Sequence, residues 1–284
     1  YNITTINIYR SNTGTEGSEF LFVSALAIDT GTTTQVTDNI ADSALGEALE
    51  TTDFAEPPSD MIGLGNLPNG MLFGISPAAK QLCLSFPYEP YACPDTTDYR
   101  RTLNFTPVGA GAVGSTVYVG TDGKPYIFSG VEPGAMTGDA ENAQQAVVSA
   151  ASVVETPQGV GWASPYGFYI PGLGVVTEQY FTQDEWSALR PESMVAAAWA
   201  GRIYLAYDAD NTGVYEVLVF DPKEPGARCT TLDQNTRALH ADLANAALYM
   251  LLGGQIVQWD ADQLNPLEWN YRTHPRRDPF PNNK

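Results

Sequence analysis

The sequence predicts an all-β protein, a β-propeller-like array of blades 42–45 residues long, on three observations. The first is turn chemistry. With 26 Gly and 20 Pro in 284 residues, the chain is broken too often for a helical bundle. The second is a hairpin that recurs five times, two apolar strands joined by Gly, Asn, Asp or Pro. The third is register. The aromatic in the leading strand of each hairpin falls at Phe73, Tyr118, Trp162, Tyr204 and Tyr249, at spacings of 45, 44, 42 and 45. Three or four short strands at that period make a propeller blade, which leaves apolar faces that only neighbouring blades can cover. A meander or sandwich of evenly spaced hairpins is the competing architecture.

Residues 1–42 read differently. Ile6–Arg10, Phe20–Val23 and Thr34–Asp38 have strand composition and form either part of an immunoglobulin- or fibronectin-like module or an incomplete blade. The sequence begins at Tyr1, close to an expected strand, so preceding residues are expected. Residues 43–66, with Pro57-Pro58-Ser59-Asp60, read as a linker. The repeats fill residues 67–264. Met71–Ile75 returns through Gln81–Leu84, and Thr116–Val119 turns at Thr121-Asp122-Gly123-Lys124 into Tyr126–Phe128. Val160–Ala163 returns through Phe168–Ile170, Arg202–Ala206 through Tyr215–Phe220, and Ala247–Leu251 through Ile256–Trp259. In the last three copies a further apolar strand precedes, at Ser152–Val154, Met194–Ala198 and Ala238–His240. Gln183–Leu189 has the composition of a short helix, and Ala140–Ala151 fits helix or extended chain equally. Residues 265–284 form a basic tail.

The net charge of −19 opposes nucleic acid or an anionic membrane as a main partner, since both require a basic footprint. No apolar run reaches the roughly 18 residues of a membrane span. Charge is segregated: no basic residue lies between Ser11 and Ala79, whereas Arg272, Arg276, Arg277 and Lys284 face only Asp278 in the last fifteen residues. Three cysteines, Cys83, Cys93 and Cys229, read as free thiols of a reducing compartment, with a Cys83–Cys93 bridge as the alternative.

Catalytic patterns are scarce. Two isolated histidines, His240 and His274, with no paired cysteines do not make a transition-metal site. Gly109–Gly114 has the spacing of a dinucleotide loop without its strand–helix context. Asp208–Gly213 begins like a calcium loop but places Val219 where the bidentate carboxylate belongs, so a polar hairpin loop is expected. The chain is therefore expected to have no enzymatic activity and no cofactor.

Several phrases in fixed order carry a resemblance: Tyr9-Arg10-Ser11-Asn12-Thr13-Gly14, Pro57-Pro58-Ser59-Asp60-Met61, Leu67-Pro68-Asn69-Gly70-Met71, Leu84 to Ala92, Thr121 to Tyr126, Ala163 to Gly167, and Phe181 to Trp186. From Tyr9 to Asp221 the chain resembles virion structural proteins of tailed bacteriophages, similar to head-to-tail stabilisation or tail hub (nozzle-like) components. Where such sequences end their repeats in a Trp-Arg-Ser-Lys-like strand, this one has Trp269-Asn270-Tyr271-Arg272-Thr273-His274. The resemblance implies a propeller-rich subunit of a ring around the DNA exit channel, made in the bacterial cytoplasm and located in the virion. Its implied partners are copies of itself and portal, adaptor, tail or fibre proteins. DNA passes nearby without specific binding, and no membrane is involved. A glycan- or receptor-binding phage propeller, with Tyr88, Tyr91, Tyr166 or Trp186 stacking on sugars, is the alternative, and a propeller glycosidase a third reading. Candidate interface residues are Phe86, Tyr88 and Tyr91 in a proline-bracketed loop, the neighbouring Arg100 and Arg101, and Trp269, Arg272, Arg276, Arg277 and Phe280 in the tail.

Overall fold

Strand follows strand in strict chain order through a computed structural model that describes residues 4–11, 19–27, 36–49, 51, 54–224 and 229–260. The expected sites Trp269, Arg272, Arg276, Arg277 and Phe280 lie outside these residues. An antiparallel hairpin, β1 (Thr5–Ser11) and β2 (Phe20–Ala27), comes first. Four four-stranded meanders follow. They are β3 (Ile62–Asn66) to β4 (Leu72–Ser76), β5 (Gln81–Leu84) and β6 (Arg100–Thr102), then β7 (Pro107–Val113) to β8 (Thr116–Thr121), β9 (Tyr126–Ser129) and β10 (Thr137–Ala140). The third comprises β11 (Val154–Thr156), β12 (Gly159–Ser164), β13 (Gly167–Ile170) and β14 (Gly174–Val175), and the fourth β15 (Val195–Trp199), β16 (Arg202–Tyr207), β17 (Glu216–Phe220) and β18 (Thr230–Leu232). A three-stranded sheet, β19 (Thr236–Asp242), β20 (Ala247–Leu252) and β21 (Gln255–Gln258), ends the described chain.

The five sheets are the five sequence repeats. Each repeat aromatic sits on the second strand of its sheet and faces the third strand: Phe73 opposite Leu84, Tyr118 opposite Ile127, Trp162 opposite Tyr169, Tyr204 opposite Val219, and Tyr249 opposite Gln258. The first strands pack on one another in succession, β3 on β7, β7 on β11, β11 on β15 and β15 on β19. Four apolar cores fill the spaces between consecutive sheets. Phe73 and Leu82 meet Val117 and Phe128, Tyr118 meets Val160 and Trp162, Phe168 meets Ile203 and Phe220, and Tyr204 meets Leu248 and Met250. Burying each Phe or Trp contributes about 2–3 kcal/mol, and only stacking removes these faces from water. This is a propeller-like all-β array. Among the described residues, no buried apolar cluster joins the fifth sheet to the first.

A second repeat, not visible as an apolar pattern, closes the turns after the second strands. Ser76, Thr121, Ser164 and Asp208 are all buried there. The Thr121 hydroxyl donates to the Lys124 carbonyl at 2.7 Å and accepts from the Gly123 amide at 3.0 Å, and the Ser164 hydroxyl does the same with Gly167 and Tyr166. Asp208 accepts from the amides of Thr212 and Gly213 at 3.0 and 2.8 Å, which makes 208–213 the polar loop expected. The Ser76 hydroxyl accepts from the Ala79 amide of its turn at 3.2 Å and donates outside it, to Asp60.

Some expectations need correction. The stretch read as a linker supplies β3, the first strand of the first sheet, and Gly46–Leu49 hydrogen-bonds along β2. Val36–Asp38 is not strand; Asp38 and Asp42 hold Arg10 at 2.7 Å each. Ala140–Ala151 is not helical apart from a 3-10 turn at Ala150–Ser152, because backbone bonds from Val147 to Thr121 and from Val148 to Ala163 pull it between two sheets. The expected helix is α1 (Gln183–Ala188), opened by a capping box in which Thr182 and Glu185 satisfy each other's amides. All three cysteines are free thiols, Cys83 and Cys93 buried and Cys229 half-buried. Burial pushes the Cys229 thiol up to about 12.

Candidate interface on the first sheet

Residues 54–61 and 86–95 fold together over the outer face of the first sheet, the face turned away from the second, while Tyr99 packs against the core between the two sheets. Glycine makes room for them: a Cβ on Gly74 would stand 2.4 Å from Met61 Cε. The Asp60 carboxylate accepts from the Ser76 hydroxyl at 2.8 Å and from the Ala78 amide at 2.8 Å, and these bonds hold it below the usual carboxylate range. The Cys93 amide donates to the Ala55 carbonyl at 3.3 Å, joining the two covering segments.

Arg100 fastens the cover from beneath. Its place opposite Cys83 in the β5–β6 register turns it onto the outer face, where it is 8% exposed. The guanidinium donates to the carbonyls of Pro94 at 3.0 Å, Cys93 at 2.9 Å and Glu56 at 3.2 Å, and to the Cys83 sulfur at 3.1 Å. All four acceptors are neutral, so this cation acts as a structural clasp. Burial raises both thiols, and the nearby Arg100 charge only partly offsets it. Arg101, on the opposite face, donates to the carbonyls of Pro133 at 2.6 Å and Met136 at 3.2 Å and so binds the first sheet to the second, at the floor of a cleft of about 540 Å³. Neither arginine offers an open guanidinium to a partner, because Arg100 is buried, Arg101 is half-buried, and both donate to backbone carbonyls.

What the cover presents outward is aromatic. The 86–92 turn is closed by the Phe86 amide to the Ala92 carbonyl at 2.9 Å and the Ala92 amide to the Glu89 carbonyl at 3.0 Å. Rings then step outward from the sheet: Tyr99 to Phe86 at 4.7 Å between centroids, Phe86 to Phe54 at 4.9 Å, and Phe54 to Tyr91 at 6.3 Å, edge-on. Phe86 is the half-buried middle of this ladder, while Tyr91 is 68% exposed. Tyr88 is 77% exposed at φ 63°, a left-handed conformation strained for a bulky residue. Its ring lies over Gly70, where a Cβ would come within 2.6 Å of it. The segments that carry the ledge are acidic. Glu56, Asp95 and Asp98 are exposed and Glu89 is half-buried. Burial raises the Tyr99 phenol, as do the charges of Glu132 and Asp98 beside it.

Two other sequence candidates separate here. Tyr166 is exposed at the β12–β13 turn, whereas Trp186 is buried and donates its indole N–H to the Ser164 carbonyl at 2.9 Å, so it offers no face to a sugar. His240 is exposed, opposite Tyr249 on β19. Among the described residues, no group of three His, Cys, Asp or Glu is placed to hold a metal. No helix of the described chain is long and apolar enough to cross a membrane.

No family model and no curated protein matches the sequence. Solved structures do resemble the fold. BBS1N, determined in complex with ARL6DN, matches at 12% identity and a TM-score of 0.40 over 71% of this chain and 66% of its own. The extracellular domain of BT4673 from Bacteroides thetaiotaomicron matches at 10% identity and a TM-score of 0.44 over 97% of this chain and 34% of its own. BF0058 from Bacteroides fragilis matches at 7% identity and a TM-score of 0.41 over 88% and 84%. The chain thus spans less than two thirds of the first two.

Proposed function

We propose that the protein is a structural component of a tailed-phage virion, a subunit of the tail hub or head-to-tail connector assembled around the DNA exit channel. The observation that carries this reading is the ledge of Tyr88 and Tyr91, held out to solvent on a cover clasped by Arg100 to a rigid stack of sheets. A fixed aromatic platform on a stiff scaffold suits a permanent protein–protein contact, since little side-chain freedom is lost on docking. The proposed location rests on the resemblance of the ordered phrases to connector and hub proteins. The negative charge suits a conduit wall, because it repels phosphate and lets the genome slide.

A glycan- or receptor-binding role is the second reading, favoured by the exposure of Tyr88, Tyr91 and Tyr166. Immunogold electron microscopy of phage particles, with an antibody to this chain, separates the two. Label at the tail-bearing vertex supports the connector or hub reading, and label at fibre tips supports receptor binding. A particle that carries no label, intact or disrupted, overturns both.

A further inference from the structure

The ledge and the basic tail are complementary in charge and chemistry. The ledge offers two exposed phenol rings with Glu89 between them in the turn, and the adjoining segments carry Glu56, Asp95 and Asp98, all exposed. The tail offers Arg272, Arg276 and Arg277 interleaved with Pro275, Pro279, Phe280 and Pro281, against a chain that is otherwise strongly acidic. Arginine stacks on tyrosine faces, carboxylates nearby strengthen that contact, and proline-rich segments dock on aromatic platforms with little loss of entropy. Resting on the proposal that copies of this chain form a ring, we infer that the Tyr88–Tyr91 ledge is the dock for segment 272–281 of a second copy.

Topology favours a second copy over the same one. The ledge lies on the first sheet, the tail follows β21 of the fifth in sequence, and among the described residues no buried apolar cluster joins those two sheets. A contact from the end of one copy to the start of the next is heterologous, and such contacts close into rings when the rotation allows. The ledge supplies an acceptor and the tail a donor in every subunit, as a ring requires.

The test is fluorescence anisotropy of a labelled peptide spanning residues 270–284 titrated with the full chain. Saturable binding is expected, weakened by salt and weakened about tenfold or more by Tyr88→Ala with Tyr91→Ala in the protein, or by Arg276→Glu with Arg277→Glu in the peptide. The full chain carrying Arg276→Glu and Arg277→Glu should bind the unaltered peptide at least as tightly as the wild-type chain, because its own tails no longer compete; this also shows that the dock is folded. Absence of binding, or equal binding by the ledge variant, overturns the inference. If the peptide fails to bind while immunogold label sits at the tail vertex, the inference falls and the connector reading stands. Specific binding with no label on any particle reverses that result.

Discussion

Replacing Arg100 with methionine removes the clasp while preserving most of the stem's volume. The guanidinium serves three carbonyls and one sulfur, and of the carbonyl-bearing residues Cys93 and Pro94 are buried while Glu56 is exposed and can turn to water. Two buried acceptors left without their donor, at about 1–3 kcal/mol each, less the relief of no longer burying a charge, give a loss of about 3 kcal/mol. The loss is local, because besides these bonds the cover is tied to the sheet by the Cys93 thiol to the Leu84 carbonyl and by Asp60 to Ser76 and Ala78. Opening of the cover should therefore become about a hundredfold more frequent. Thiol modification of native protein, read per cysteine by mass spectrometry, measures this directly. Cys83 and Cys93 should react about a hundredfold faster in Arg100→Met, with Cys229 little changed as the internal reference. Unchanged rates at Cys83 and Cys93 would refute the assignment of Arg100 as the clasp.

The remaining expectations test the stack. Gly161→Ala places a methyl 2.6 Å from Phe168 and 3.1 Å from the Tyr169 carbonyl in a fully buried strand, so urea denaturation should show a loss of about 2–3 kcal/mol. Thr182→Ala removes the capping box of α1 and should lower stability by about 1 kcal/mol, with Thr182→Ser restoring most of it. The Tyr169 and Tyr207 phenols, bonded to Glu141 and Glu216, are raised above 10.0 by burial and then by those carboxylates. Their stabilisation is complete below pH 10.0 and is lost as pH rises beyond it, so ultraviolet titration should show both ionising only as the protein unfolds. Asp60 behaves oppositely: its stabilisation is present above 3.8 and lost as pH falls through its lowered value, so acid should release the 54–61 cover, and Asp60→Asn should flatten that acid limb in a pH series of thiol modification.

Local rules explain which features were legible. Alternation and turn residues act over a few positions, so the five hairpins, the short helix α1 and the polar loop at Asp208 could be read directly. The first strand of the first sheet could not. Ile62–Asn66 contains two glycines and exposes Ile62 and Leu64, so it lacks the apolar run that marks β15, and its strand state comes from pairing with β4 and packing on β7. The turn repeat of Ser76, Thr121, Ser164 and Asp208 was present in the sequence, but isolated polar residues carry no apolar period to draw attention to it.

At the candidate interface the sequence determined that the 86–91 loop is aromatic and proline-bracketed and that the tail opposes the rest of the chain in charge. Composition and spacing suffice for both, as they do for the blade period. Only the tertiary structure decided which groups reach solvent. Arg100 and Tyr91 lie nine residues apart and look equally exposed in sequence, yet one is buried and the other open. The difference rests on a β-register that sets Arg100 opposite Cys83 and on a bond to Glu56, 44 residues away. A long-range contact of that kind appears only once the chain has folded back over its own sheet, since no short-range pattern encodes which carbonyls a guanidinium will meet.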